Sequence, residues 1–228
     1  MIVKPPIFTR GFDFVCQVLS KRSPLSFAYP MLQDLDKTLK GLLSSQLPAG
    51  IVQPDNIGFE VPDPESISTP GINLFLYDVR ENLELRNTVG GFVRQNDGTA
   101  IKQRPPARVD CSYLITAWPS KSQKTSKPDA AEEHQMLGEV MKVLLRFPTL
   151  PEEVLQGSLK GQEPPVRAFS LRPGQLQNMG DFWQALGGKP KASLNYIVTI
   201  AVSLDGDDTT VPLVTDQRLI PTLITKGS

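Results

Sequence analysis

INLFLYDVRENLELRN at 72–87 and RPPARVDCSYLITAW at 104–118 are two apolar, β-rich runs separated by a polar excursion. INLFLYDV is apolar at every position except Asn73 and Asp78, which suits a central strand covered on both faces. VDCSYLITAW alternates, with Val109, Cys111, Tyr113, Ile115 and Ala117 on one face. Asp110, Ser112, Leu114, Thr116 and Trp118 fall on the other. Between the runs lie GG at 90–91, NDG at 96–98 and PP at 105–106. Phe92–Arg94 and Thr99–Lys102 are expected to pair as a protruding hairpin around Asn96–Gly98. The rest of the chain reads as packed against this strand pair or trailing from it.

Working outward, MLQDLDKTLKGLLSS at 31–45 places Leu32, Leu35, Leu39, Leu42 and Leu43 on one helical stripe. Asp34, Asp36, Lys37 and Lys40 are assigned to the opposite side, and LPAG at 47–50 ends the helix. NIGFEV at 56–61 alternates as a weak strand. A second helix is expected from about Ala130 to Phe147, with Leu137, Val140, Met141, Leu144 and Leu145 inward and Glu132 and Glu133 near its N-terminus. Val166–Leu171 reads as a strand. Met179, Phe182, Trp183 and Leu186 mark a short third helix stopped by Gly187–Gly188. ASLNYIVTIAVSL at 192–204 is the cleanest alternation in the chain, with Leu194, Tyr196, Val198, Ile200, Val202 and Leu204 sharing a face. The expected division is an N-terminal arm at 1–30, a core at 31–204 and an extended C-terminal arm at 205–228.

Composition narrows the function classes. The chain has 228 residues, enough for one well-buried core, and 24 basic against 24 acidic residues. A chain built to neutralise a phosphate backbone carries a basic excess, so nucleic acid is not the expected partner. There are 21 prolines, about double the ordinary usage of roughly 5%, which implies short elements joined by stiff connections and arms. The first 20 residues lack a signal-peptide core, and no run approaches the ~20 apolar residues of a membrane span. Cys16 and Cys111 form no spaced motif, and Cys111 is expected to pack as a small apolar side chain. Together these features lead us to expect a soluble, cytoplasmic protein without membrane insertion.

Signals for catalysis are sparse. His134 is the only histidine and has neither a second His nor a Cys pair nearby in sequence. Phosphate-binding and nucleophile-elbow motifs are absent. Asp205, Asp207 and Asp208 lack the ligand spacing of a calcium loop. No catalytic, metal-binding or cofactor-binding residue is therefore assigned. The densest charge group comprises Asp78, Arg80, Glu81 and Arg86 with Arg104, Arg108 and Asp110. It is read as a salt-bridge stitch between the two strands or as intersubunit ion pairing; the competing reading is a ligand-binding or enzymatic site. In the tail, Val211, Leu213, Val214, Leu219, Ile220, Leu223 and Ile224 are interrupted by Pro212 and Pro221. Such a segment suits pairing with a neighbour's sheet edge.

Four blocks carry a family resemblance as a set: MLQDLDKTLKGLL, NLFLYDVRENLELRN, RPPARVDCSYLITAW with EEHQMLGEVMKVLLRFPTLP, and DFWQALGGKPKASLNYIVTIAV. The chain resembles the tail-cap, or tail-terminator, family of phage-tail-like contractile injection systems over roughly 31–204. The resemblance implies an α+β fold, a mixed, mainly antiparallel sheet packed by two to three helices. It further implies a non-enzymatic protein forming a six-fold ring that closes the end of the inner tube and sheath opposite the baseplate. Sheath and inner-tube proteins are then the expected partners. Another structural station of the same machine (baseplate, tube completion or adaptor) is the alternative. The two arms lie outside what the resemblance covers.

Overall fold

A computed structural model describes residues 31–63, 65–86, 91–95, 97, 99–103, 105–120, 129–172, 178–187, 189–204 and 209–212. The N-terminal arm and most of the C-terminal arm lie outside these residues. Eight strands and three helices are present among those described. The central sheet has five strands in the order β1 (Ile57–Gly58), β2 (Gly71–Glu81), β5 (Ala107–Trp118), β7 (Leu194–Val202) and β6 (Arg167–Ser170). Only the β1–β2 pairing is parallel. The fold is thus α+β with a mixed, mainly antiparallel sheet, as expected from both the residue pattern and the resemblance.

The alternation in β5 and β7 decides the core. Cys111, Tyr113, Ile115 and Ala117 join Tyr196, Val198 and Ile200 in one buried cluster, with Leu35, Leu39, Leu42 and Leu43 of α1 (Met31–Gln46) and the inner stripe of α2 (Ala130–Arg146). Two helices therefore cover one face of the sheet. α3 (Met179–Ala185) covers part of the other, where Phe182 lies 6.2 Å from Phe75, itself the cross-strand partner of Leu114. Trp183 is buried beside it and meets Phe182 edge-on at 5.6 Å. Asn178 caps α3 by accepting from the Gly180 and Asp181 N–H groups, and Gly187 ends it at a positive φ of 68°.

Several assignments change. Leu32 is 40% exposed, and Leu204 and Leu145 are also exposed. In α2 the buried set is Met136, Leu137, Val140, Val143 and Leu144, with Met141 only half-buried. Both versions of this stripe are amphipathic, because Met136 and Val143 flank one side and Met141 and Leu145 the other; packing on β5 and β6 selects between them. The weak strand at 56–61 shortens to Ile57–Gly58. Side chains take over where the ladder stops, Asn56 Nδ2 donating to the Pro70 carbonyl at 2.8 Å and Asn73 Nδ2 to the Glu60 carbonyl at 2.8 Å. Asp34, assigned to the solvent side of α1, is buried. Its carboxylate accepts from the Ser158 N–H and hydroxyl at 3.0 Å, tying α1 to the Gly157–Leu159 turn. Gly157 is at φ 51°, and a Cβ there would collide with the Asp34 carboxylate.

The excursion forms the hairpin expected of it, β3 (Gly91–Arg94) with β4 (Thr99–Gln103). A third strand, β8 (Thr209–Pro212), pairs with β4 from the same chain. The first described residues after the core thus return to the hairpin.

Candidate functional site

The charge group at the β2–β5 end is set by a bulge in β2. Leu76 opposes Tyr113 while Asp78 opposes Ser112, so Tyr77 is an extra residue in β2. Because side chains alternate strictly along a strand, that insertion turns Asp78 and Arg80 to the face opposite Leu76. There they join a row of residues linked by register: Arg80 opposes Asp110, Asp110 opposes Thr199, and Thr199 opposes Arg167.

Within this row the pairings are local. Arg80 Nε and Nη2 donate to the two Asp78 oxygens at 2.6 and 2.9 Å, a bidentate contact within one strand on the exposed face. That contact raises the Arg80 guanidinium above its ordinary range. Arg86 pairs with Glu81 at 3.3 Å, likewise in the open. Asp110 is held differently. Its two oxygens accept from Asn82 Nδ2 at 2.9 Å and from Thr199 Oγ1 at 2.6 Å, and the Asn82 N–H donates to the Arg108 carbonyl at 2.7 Å. At this end of the strands the side chains that join β2, β5 and β7 are therefore Asn82, Asp110 and Thr199, two of them uncharged, while farther along the Tyr77 hydroxyl donates to Asn195 Oδ1 at 2.6 Å. Sequence reasoning singled out Asp110 but missed Asn82 and Thr199, whose only signal was their place at the end of one strand and opposite face of another.

Arg108 stands apart from the other charges. It is 5% exposed, and its Nη1 donates to the Pro164 carbonyl at 3.5 Å. Burial and the neighbouring Arg167 guanidinium push its pKa down, with Asp110 opposing them. It stays protonated, since a guanidinium is not titrated in a protein. Arg104 lies outside the described residues. Of the tail positions, Val211 is in β8, while Leu213, Val214, Leu219, Ile220, Leu223 and Ile224 lie outside the described residues.

Elsewhere the titratable groups are structural. Burial pushes the Cys111 thiol up to about 12, which leaves almost no thiolate at neutral pH. Tyr113 donates to Asp36 Oδ1 at 2.9 Å from within the core, and both Tyr113 and its cross-strand partner Tyr196 are raised by burial. His134 is exposed on α2. Among the described residues no group of three or more His, Cys, Asp or Glu side chains is placed to hold a metal ion. No helix among them is long and apolar enough to cross a membrane.

This geometry offers a sheet with one sealed face and one partly open, charged face, together with a projecting three-stranded ribbon. Among the described residues it presents contact surface. Comparison with known proteins points the same way. A solved structure of an extracellular contractile injection system, the PVC sheath/tube terminator in its extended state, superposes with a TM-score of 0.58 at 26% identity, over 86% of this chain and 65% of that one. The tube-terminating cap of the anti-feeding prophage superposes with a TM-score of 0.54 at 25% identity, over 84% of this chain and 62% of that one. The chain thus spans somewhat less than two thirds of the length of these two proteins. No curated protein matches it. The family model of the Pvc16 N-terminal domain matches residues 34–217, from within the first turn of α1 through β8, and the chain belongs to that family.

Proposed function

We propose that this protein is a structural terminator of a contractile injection system, forming a ring that closes the inner tube and sheath at the end opposite the baseplate and stops their polymerisation. The observation that carries the reading is the superposition on the PVC sheath/tube terminator over 86% of the chain. Its partners are sheath and inner-tube proteins and further copies of itself, six by the family resemblance. The role is non-enzymatic, and assembly takes place in the cytoplasm. Capping needs only surfaces that fit a tube end.

The test is particle length. Tubes and sheaths assembled without this chain are expected to be overlong and heterogeneous, and an affinity tag on the chain should be seen by electron microscopy only at the non-baseplate end. Tubes of normal length without it would sink the proposal. A tag found at the baseplate or along the shaft would favour another station in the machine.

Residues 213–224 are proposed as the docking arm for sheath or tube. Because Thr209–Pro212 pairs with β4, the informative truncation begins after Pro212. Removal of 213–228 should leave a folded protein that caps poorly. Intact capping by that truncation would remove the arm from the model.

A further inference from the structure

The core face of the sheet continues past the cover of its helices at the end where α1 begins. Directly opposed residues share a face, and Val79 opposes Cys111, Val109 opposes Ile200 and Val202 lies two residues beyond Ile200. All three valines therefore lie on the face that carries Tyr113 and Tyr196. Cys111 and Ile200 are sealed, but Val109 and Val202 are only half-buried and Val79 is 47% exposed. Glu81, opposite Val109, ends this apolar strip and pairs with Arg86 in the open.

Beside the first residue of α1 the strip opens into a hollow of about 680 Å³, with Met31, Pro106 and Val202 on its apolar side. Gln162 stands in its wall, the side-chain amide donating to the Ala201 carbonyl at 2.6 Å and accepting from the Ala201 N–H at 2.8 Å. That amide completes the β7 edge beyond the last β6 pairing, Arg167 with Thr199, so at Ala201 no backbone group is left for an added strand. What the hollow can still take is apolar side chains. Met31 is also where the described chain begins, so the segment before it is tethered at the mouth of the hollow. That segment, PLSFAYP at 24–30, carries Leu25, Phe27 and Tyr29 and no charge, and it precedes the family match, which starts at residue 34. In an extended chain those three side chains share one face. From β7 across β5 to β2 is about 10 Å at a strand spacing of about 4.8 Å. Seven extended residues reach about 23 Å, enough to cover both the hollow and Val79. A short tether also holds the segment at an effective concentration in the millimolar range, which a second copy or a partner would have to exceed.

We infer that residues 24–30 clasp their own chain, Phe27 and Tyr29 supplying the apolar side chains that cover the hollow beside Met31 and the strip toward Val79. This part of the N-terminal arm then belongs to the fold, in contrast to residues 213–224, which are proposed to dock on another protein. The inference concerns the free chain and does not depend on the terminator reading; particle length tests that reading alone.

The test uses the full chain by itself. With photoreactive benzoylphenylalanine in place of Phe27, irradiation should link the arm to Pro106, Gln162 or Val202, or to their immediate neighbours, read by mass spectrometry of the digest. A mixture of isotopically light and heavy chains identifies the owner of the arm, and the links are expected within one isotope class. Phe27→Asp should lower the folding equilibrium constant roughly tenfold or more, the scale of uncovering one large apolar side chain, and should brighten a hydrophobic dye. Ser26→Asp places the same charge on the other face of an extended segment and should leave both readings nearly unchanged. Links found only between light and heavy chains would give the groove to a second copy and overturn the inference. So would links that avoid the hollow, links that appear only after sheath or tube protein is added, or a Phe27→Asp chain as stable as Ser26→Asp.

Discussion

The two faces of the central sheet are built from the same strands but by different physics. On one, Cys111, Tyr113, Ile115, Tyr196, Val198 and Ile200 meet two helices in a continuous apolar cluster. On the other, Phe75 and Leu114 are covered at one end by α3, and toward the other end runs the row Arg80, Asp110, Thr199 and Arg167. The first face stabilises chiefly through area removed from water. The second is held by directed hydrogen bonds and keeps charge available at the surface. A protein that must fold before it meets its partners gains by dividing the tasks in this way.

The largest test of that contrast lies on the sealed face. Leu39→Ala removes a fully buried side chain, and the cost is expected at about 2–5 kcal/mol, read as a lower denaturant midpoint at constant m. A cost well under 1 kcal/mol would mean that the helix-covered face is not the core.

On the open face the largest effect should come from Asp110. Asp110→Ala strands the Asn82 amide and the Thr199 hydroxyl together, and about 1–3 kcal/mol of stability should be lost. Thermal unfolding of Asp110→Ala beside Asp110→Asn separates the hydrogen bonds from the charge, because Asn retains one acceptor.

Smaller and opposite effects of pH are expected from two carboxylates of α1. Asp34 is held below the usual carboxylate range chiefly by the Ser158 N–H, against the opposing effect of burial. The folded state therefore binds this proton less readily, so its contribution is present above pH ~4 and is lost as pH falls through the folded value. Asp36 is raised by burial, with the Tyr113 hydroxyl opposing. Its sign is reversed, and stability falls as pH rises from about 4 through its folded value. Unfolding titrations should show Asp34→Asn flattening the acid loss and Asp36→Asn removing the fall above it. The same slope in both variants would contradict the assignment.

The smallest effect belongs to the contact that looks strongest. The Asp78–Arg80 pair is short and bidentate, but it is exposed and lies within one strand, so Asp78→Ala should leave the unfolding midpoint within error. A clear loss there would show that the open face is held by charge after all.

How much of this was legible depends on range. The helices from Met31 and Ala130 and the strands around Tyr113 and Tyr196 repeat their apolar residues at the period of their own backbone, so each could be read without neighbours. The 92–102 hairpin was legible too, because its turn residues specify it locally. The charges near Asp78 could be grouped by sequence, but their pairing could not. Whether Arg80 reaches Asp78 or Asp110 depends on the bulge at Tyr77, and nothing in INLFLYDV reports an extra residue. Asp34 read as a surface residue because its partner, Ser158, is far along the chain.

By itself, the sequence determined the identity of the elements, the apolar faces of β5 and β7, the absence of a recognisable catalytic motif and the family resemblance. All of these depend on residues close together or on patterns repeated along one element. Only the tertiary structure decided that Met136 and Val143 rather than Met141 and Leu145 turn inward, that Asn82 and Thr199 fasten the strand ends, that β8 returns to β4, and that Arg108 is buried with no ion pair among the described residues. The reason is common to all four. Each depends on what a distant segment presents at a few ångströms, and local periodicity carries no information about that.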